Sequence, residues 1–473
     1  MAQHASTHTH LRNGRRLDEP PAIEGYLDRI SQTKKQIYLA THNGNLFILN
    51  SHAAFPPMPP GLAPMTNQSL DIEALRQAEI RRGINQVMTA TGMCDLRSIL
   101  AVRRAFHFTP MEMHDLVEPA ADDIFWLGIC ENSEQRTADD EGDEGGDSGL
   151  SKSADRMRLK MRRSFELLLN TGHVVRFEVL FKSVSKKLVL KNLQAHSCRV
   201  AIEWIERLRA LIFYWKSRHK IDAKQEIELA QACRPRLTPQ TRICRDDEHP
   251  PEAPPDLSAF YPAMNNLYNW CVLEGCKPIV KVGRIYMKKG LHGQYKYIIK
   301  AWFKIYAEVF FGRLFQLCLV AGHLVQFRIK PRSSLYTSIR EKINLLDAYV
   351  ISGYFAAQTL PQGQYMPDAE PCPRRYHDGL ETDDRDEDML FMIYYRPQPQ
   401  MVNADQDPTV TPVNPKSIPS LSVKHKILVF KARSGLERDT WCWALNAEIE
   451  KMVRAQKDRE DKLRHSGNLV KLG

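Results

Sequence analysis

The chain has 473 residues, 43% hydrophobic and 9% aromatic, with a formal net charge of +10 and a sequence pI near 9.0. This is globular composition with room for two to four domains, which excludes a wholly disordered or fibrous chain. The basic balance favours anionic partners: membrane lipid, nucleic acid or acidic protein.

Residues 1–21 are polar (MAQHASTHTHLRNGRR and the five that follow). They lack the apolar core of a secretory signal and are expected to be disordered. Strand-like runs follow at Glu24–Ile30, Gln36–Thr41 and Asn45–Asn50, the last two separated by His42-Asn43-Gly44. Asn-Gly between apolar runs signals a hairpin, because both turn positions need positive φ. After the Pro-rich break at Pro56–Pro64, the stretch Asp71–Met88 reads as helix, with Ile72, Leu75, Ile80 and Ile84 roughly in register. Cys94–Ala105 reads as strand and turn, and the acidic, Gly-rich 136–149 segment as disordered. Strands resume at Ser164–Leu169, turn at Asn170–Gly172, and continue at His173–Glu178. An amphipathic helix around Ala195–Tyr214, with Val200, Ile202, Ile205, Leu208 and Ile212 on one broad face, is expected to close the module near Lys220.

A Pro-rich, charged linker at Cys233–Pro255 separates a second set of strands. These are Gly283–Lys289, the hairpin Leu314–Val320/His323–Ile329 around Ala321-Gly322, a strand-like Asn344–Phe355, then Leu390–Arg396 and Lys426–Ala432. Ser434–Met452 is a second amphipathic helix. Ser197 precedes Trp204 by the interval at which Ser434 precedes Trp441, and each Trp is followed four residues on by a Leu, Leu208 or Leu445. The same order thus occurs twice: hairpin strands, a long interruption, two further strands and one helix. An antiparallel sheet curled into a barrel and plugged at one end by a helix accounts for this order. Trp204 and Trp441 are the expected plugs, with structural roles, because a large ring fills such an opening.

Two stretches interrupt the pattern. Without Val179–Gln194, sixteen residues long, the first module runs directly from its last strand into its helix. Without Tyr297–Arg313 the second module gains a clean strand–strand unit. Val codons begin with GT, Gln and Arg codons can end in AG, and the Lys296–Tyr297 junction can contain GTA. Either segment therefore fits a retained intron or a genuine loop insertion, and a cDNA carrying both would exclude the intron.

A strand-rich stretch closed by one such helix resembles a pleckstrin-homology (PH) domain. The expected fold is mainly β with α: two split PH-type antiparallel β-barrels, each capped by a C-terminal amphipathic helix, plus disordered loops. The expected limits are a first PH domain at 22–220 with an insertion at about 51–160, helix end and linker at 221–277, a second PH domain at 278–456, and a tail at 457–473. The tandem also resembles the fungal sporulation-specific double-PH proteins of the forespore (prospore) membrane. The residues that carry this are FELLLNTGHVVRFE and AIEWIERLRAL in the first module. In the second they are GRIYMKKGLHGQYK, INLLDAYVISGYF, RYHDGLETDDRDEDMLFMIYYR and the Trp441 helix. That family commonly has a long N-terminal extension, whereas here the first module starts near residue 22. The resemblance implies a cytoplasmic adaptor, peripheral on the forespore membrane in meiosis and sporulation, that helps recruit a bridge-like lipid-transfer protein.

PH domains grip phosphoinositides between their first two strands, using an early Lys and a basic-x-Arg pattern that clamps ring phosphates. The first module offers Arg29, Lys34 and Lys35, but its second strand continues Gln36-Ile37-Tyr38 and lacks the Arg. The second offers Arg284, Lys288, Lys289, His292 and Lys296, again without basic-x-Arg. The expected ligand is an anionic lipid, either a phosphoinositide or phosphatidic acid/phosphatidylserine. The competing expectation is a protein scaffold whose barrels have lost lipid binding. The acidic cluster from His377 to Asp388 lacks EF-hand spacing and reads as a solvated loop or a docking site for a basic partner. The ten cysteines form no CxxC pair, and Cys271 and Cys276 have no zinc-spaced partner, so reduced thiols are expected. No P-loop, nucleotide fingerprint, HExxH or GxSxG occurs, the sixteen His lack ligand spacing, and no nucleic-acid motif is present. No enzyme, cofactor, metal or nucleic-acid partner is therefore expected, and with no stretch long enough to span a bilayer, membrane association should be peripheral.

Overall fold

The computed structural model describes residues 8–10, 14–30, 35–57, 72–105, 162–170, 172, 174–179, 181–182, 194–195, 198–232, 277–289, 313–328, 337–361, 374–375, 380–397 and 424–465. It is mainly antiparallel β-sheet with helices. The first half contributes β1 (Glu24–Ile30), β2 (Lys35–His42), β3 (Asn45–Asn50), α1 (Ile72–Thr89), β4 (Gly92–Asp95), β5 (Ile99–Arg104), β6 (Ser164–Leu169), β7 (Val174–Val179) and α2 (Cys198–Ala232). The second contributes β8 (Lys281–Lys289), β9 (Arg313–Val320), β10 (His323–Arg328), β11 (Thr337–Asn344), β12 (Tyr349–Ser352), α3 (Gly353–Gln358), β13 (Leu390–Tyr395), β14 (Lys426–Lys431) and α4 (Gly435–His465).

All fourteen strands form one hydrogen-bonded order, β12-β13-β14-β8-β9-β10-β11-β4-β3-β2-β1-β7-β6-β5. The order has an internal symmetry. In each half the first strand pairs with both the second and the seventh, and the two halves meet fourth strand to fourth strand. That junction is short, with Thr337 opposite Met93 and Ser338 opposite Gly92.

Two tight hairpins set the register. Asn43 and Gly44 have φ of 45° and 73°, and Ala321 and Gly322 have φ of 41° and 71°. Both central residues are left-handed, the geometry that matches strand twist in a two-residue turn. The helix of each half covers its hairpin tip. A Cβ on Gly44 would stand 2.8 Å from Trp215 of α2, and one on Gly322 only 2.1 Å from Met452 of α4. Trp215 and Met452 each follow their module's plug Trp by eleven residues, so the helices share a register as well as a position.

Each half has its own apolar core. In the first, Leu27, Ile37, Leu39, Leu46, Ile48, Phe165 and Phe177 pack with Trp204, Ile205 and Leu208. Trp204 stacks on Phe165, with ring centroids 5.8 Å apart at 12°, and Gly25 lets β1 approach it. In the second, Ile285, Met287, Leu317, Leu324, Phe391, Ile393 and Phe430 pack with Trp441 and Leu445. Ser434 and Glu437 form a capping box at the start of α4. Glu437 N–H donates to Ser434 Oγ (3.2 Å), and Arg433 N–H donates to Glu437 Oε2 (2.8 Å).

A third core joins the halves. Strand residues alternate between faces, so Tyr38, Ala40, Phe47 and Leu49 point away from the first core. They are buried against Ile80, Ile84 and Val87 of α1, and against Ile279, Val282, Cys318, Val320, Val325 and Phe327 of the second half. Phe47 and Phe327 meet edge to face at 6.3 Å, and the Cys318 thiol lies 3.8 Å from Met93 Sδ. Burying one such Phe contributes roughly 1.5–3 kcal/mol. The halves are therefore a single packed unit at this face.

A polar network pins α1 to the sheet. Arg82 donates twice to Glu24 (2.6 and 2.7 Å), and Gln86 Nε2 and Tyr38 OH also donate to Glu24 (2.7 and 2.8 Å). Burial alone would raise the Glu24 carboxyl, but these donors outweigh it and hold the group below its ordinary value. His42 Nε2 lies 2.7 Å from Gln86 Oε1, and burial holds the His42 imidazole below its ordinary value.

Several expectations need correction. Within 1–21, His8–His10 pairs with Arg16–Asp18, so part of that stretch is ordered. Leu75 is exposed, because the buried face of α1 is set by Ile80, Ile84 and Val87. The first-half helix does not stop near Lys220. It continues to Ala232, with Arg218 buried beneath Tyr214 and Trp215 and with Ala223 buried beyond it. Asn344–Phe355 is not one strand. It ends β11, turns, forms β12 and enters α3 at Gly353, whose φ of +62° breaks the extended chain. The first interrupting stretch begins inside the fold: Val179 is buried and pairs with Leu27, and Phe181–Lys182 pairs with Gln194–Ala195 across the stem. Of Tyr297–Arg313, only Arg313 lies within the described residues, as the first residue of β9.

Candidate functional site

Of the residues expected to contact lipid, Arg29 lies near the end of β1, Lys288 and Lys289 end β8, and Arg284 lies in the middle of β8. In the first half Arg29 on β1 is the cross-strand partner of Lys35 on β2, and Lys35 is exposed. Lys34 lies outside the described residues. Tyr38, at the position where a lipid-clamping Arg was sought, is buried in the shared core and bonded to Glu24. That position therefore serves the joint between the halves.

In the second half Arg284, Lys288 and Lys289 lie on β8. Arg284 is opposite Gln316, Lys288 opposite Val429 and Lys289 opposite Leu428. Only their backbone placement is described, and His292 and Lys296 lie outside the described residues. The strand beside Lys288 and Lys289 is β14, and its approach is basic: Lys424, His425 and Lys426 are all exposed. Nothing in the sequence marked these three as neighbours of the Lys288-Lys289 pair. Lys426 pairs with Tyr395 at the end of β13. Next to that pair, Arg396 Nε donates to His425 Nε2 (3.3 Å) and forms an ion pair with Asp347 (3.2 Å). Strand pairing thus gathers at one end of β8, β13 and β14 cations that are more than a hundred residues apart in the chain.

An aromatic wall stands beside these cations. Tyr349 of β12 and Tyr394 of β13 stack with centroids 4.8 Å apart at 6°, and the His425 ring is 6.0 Å from Tyr349. Tyr349 is half exposed, and its hydroxyl is raised by burial first and by Tyr394 second. At the second core, Tyr395 OH donates to Glu341 (3.0 Å), and burial pushes that phenol up. The arrangement suits an anionic, partly apolar surface: lysine ammonium groups for phosphates, and tyrosine rings for the zone beside them.

The two expected plug tryptophans are buried. Lys281 Nζ stands 5.1 Å from the Trp441 ring centroid, which adds a cation–π contact to that plug. The acidic cluster is partly structural. Asp384 Oδ2 accepts from Gly435 N–H and Thr382 Oγ1 (both 2.8 Å) at the start of α4, and Asp386 pairs with Lys431 (3.1 Å). His377 lies outside the described residues. Among the described residues no His/Cys/Asp/Glu group is arranged to hold a metal, and no helix is long and apolar enough to cross a membrane.

Comparison with known proteins bears on the same elements. Residues 307–461, from before β9 to near the end of α4, match the pleckstrin homology domain family. The chain is also similar to the forespore membrane adapter protein MUG56 of Schizosaccharomyces pombe, at 20% identity over 498 aligned positions. That alignment covers 95% of this chain and 43% of the relative, so the chain spans less than half of that protein's length. The second half thus carries a match to the pleckstrin homology domain family, and the chain is similar over nearly all of its own length to a forespore membrane adapter.

Proposed function

We propose that this chain is a non-enzymatic peripheral membrane adaptor in forespore-membrane formation during meiosis and sporulation. In this reading both halves are PH-type barrels. The second binds anionic lipid at its basic end, and other surfaces recruit protein partners, a bridge-like lipid-transfer protein among them. The observation that carries the lipid-binding part is the register that sets Lys288 and Lys289 beside the exposed Lys424-His425-Lys426 approach. Each cation near an anionic bilayer contributes about 1 kcal/mol, so four or five suffice for a weak, salt-sensitive attachment. The repeated strand order of the two halves supports the tandem-barrel part.

The first half supports a different duty. Its second strand spends Tyr38 on the shared core and lacks the phosphate-clamping Arg. This favours a protein-binding or bracing role there, and keeps a lipid-free scaffold as the alternative for the whole chain.

The test is co-sedimentation of the full chain with vesicles of phosphatidylcholine alone, or mixed with phosphatidylserine, phosphatidic acid or a phosphoinositide. The full chain is required because a fragment beginning at residue 278 would expose the shared core. Binding to anionic vesicles only, weakened by salt and lost in Lys288→Glu/Lys289→Glu, is the expected result. A folded chain that ignores every anionic vesicle would sink the lipid reading in favour of the scaffold.

A further inference from the structure

A second apolar face lies outside both barrel cores. On the outer side of β13 and β14, Leu390, Met392 and Val429 are covered by Ala356 and Ala357 of α3, with Tyr286, Ile351, Leu360, Tyr394 and Ile427 half-buried around them. The cover is small, since α3 has six residues. It buries its alanines and leaves its aromatic residues in solvent: Phe355 is 71% exposed and Tyr354 52% exposed, with their rings 6.0 Å apart. Tyr349, 49% exposed, extends the face toward the basic end. On the other flank the Cys442 thiol bonds Ser352, and the next residue of α4, Trp443, is 62% exposed. Of the five exposed aromatics among the described residues, four come from this one corner, and the fifth is Phe213 on α2. Clustered exposed aromatics next to cations are uncommon on a surface that meets only water.

The charges around the face narrow its occupant. Lys424, His425 and Lys426 border it, and Arg396 stands beside His425. The acidic side chains nearest the face are Asp347, paired with Arg396 (3.2 Å), Glu387 with Arg385 (3.8 Å), Asp386 with Lys431 (3.1 Å) and Asp439 with Arg438 (2.7 Å), together with Asp388 in the turn before β13. The exposed lysines at its edge favour an anionic partner. An anionic bilayer presents the opposite charge and, beneath it, the amphipathic zone in which tyrosine and other aromatic rings settle.

We propose that α3 and the Tyr349–Tyr394 pair form a bilayer-insertion face, in which Phe355 and Tyr354 enter the headgroup–acyl boundary while Lys424, His425 and Lys426 hold the anionic headgroups. This rests on the lipid-adaptor reading above and adds to it a site on the outer sheet face, separate from the loop between the first two strands. Insertion makes attachment partly insensitive to salt, which a purely cationic rim cannot do.

The experiment uses the full chain and vesicles of phosphatidylcholine with phosphatidylserine, at low and high salt, with three variants. Phe355→Asp and Tyr354→Ala are at exposed positions and are checked for folding by circular dichroism. Phe355→Trp reports insertion through quenching by lipids brominated on their acyl chains, measured against the parent protein. Phe355→Asp should weaken vesicle binding about tenfold, as expected for removing one buried ring. Tyr354→Ala should weaken it less, the residual binding of both should vanish at high salt, and the fluorescence gained in Phe355→Trp should be quenched. Normal binding by folded Phe355→Asp without quenching, but loss in Lys288→Glu/Lys289→Glu, would overturn the insertion face and leave the adaptor reading intact. No vesicle binding by the parent chain would overturn both. If Phe355→Asp instead abolished self-association measured by sedimentation velocity, the face would belong to a second copy.

Discussion

Two outer sheet faces of this molecule are apolar, and they have opposite fates. The face built from Tyr38, Ala40, Phe47 and Leu49 is closed by α1 and by the second half of the chain. The face built from Leu390, Met392 and Val429 is roofed only by six residues of α3, whose own aromatics stay in solvent. A sheet with one solvated face needs only its other face to be apolar, so each further apolar face signals something packed against it. In the first case that is the rest of the chain. In the second, on the present proposal, it is a membrane. The first joint packs the two halves together, so on the proposed adaptor reading the first half would brace the second.

The comparison can be broken most severely at the closed face. Phe47→Ala and Phe327→Ala should each destabilise the folded chain by about 3–5 kcal/mol, the usual cost of an aromatic-to-alanine cavity. Because the rings touch, the double variant should cost less than the sum of the two. Denaturant unfolding of the two single variants and the double checks this, and strict additivity would mean that the halves do not share a core. Trp441→Ala should cost a similar amount within the second half, and it should leave the Tyr38 face packed if unfolding is followed by half-specific probes. Next in size is the ion pair behind β5. Glu166 is buried and takes Arg103 (3.0 Å) and Arg176. Glu166→Ala removes a carboxylate shared by both guanidinium groups and should cost about 3–5 kcal/mol at most, less where Arg176 reaches water.

The closed face should also be sensitive to acid. His42 and His323 are partly buried beside the two hairpins, and desolvation holds both below their ordinary value of 6.5. Below that value the unfolded chain takes up protons that the folded chain refuses, so stability falls with pH until the folded groups themselves titrate. Glu24 acts at lower pH: it is held below its ordinary 4.5, so its contribution persists above that value and is lost only as pH falls through the folded one. Urea melts from neutrality to about pH 5 should therefore lose stability in the parent and lose less of it in His42→Gln. The smallest expected effect is at the open face. Phe355→Asp and Tyr354→Ala should change stability by no more than about 0.5 kcal/mol, as for surface positions generally. A large loss would mean that α3 is structural.

Much of the fold was legible. Asn43-Gly44 and Ala321-Gly322 announced their hairpins, apolar runs between turn residues marked the strands, and the spacing of Trp204 and Trp441 in their helices marked the repeat. The joint between the halves went unread, although the signal was present. Gln36–Thr41, Asn45–Asn50 and Leu314–Val320 are nearly continuous apolar runs, whereas a strand with one wet face alternates. Continuous runs mean two covered faces. Helix ends were less readable, because α2 runs on past the point where Trp215 covers the Gly44 turn, with Arg218 packed on Trp215 within the helix. The basic end of the second half was half visible. Lys288 and Lys289 stand out as a pair, but their neighbours Lys424, His425 and Lys426 are brought near only by β8–β14 pairing, which is non-local. The face around Phe355 was hidden for a similar reason, because Asn344–Phe355 looks like one apolar strand until Gly353 turns it into a helix.

The contrast between a closed and an open apolar face is tested most directly by hydrogen–deuterium exchange on the full chain, with and without phosphatidylserine-containing vesicles. The strands of the joint, β2, β3, β9 and β10, should exchange slowly in both conditions. The open face, formed by β12, α3 and the start of β14, should become protected only when vesicles are present. Fast exchange at the joint, or vesicle-dependent protection that spares residues 349–360, would contradict this contrast.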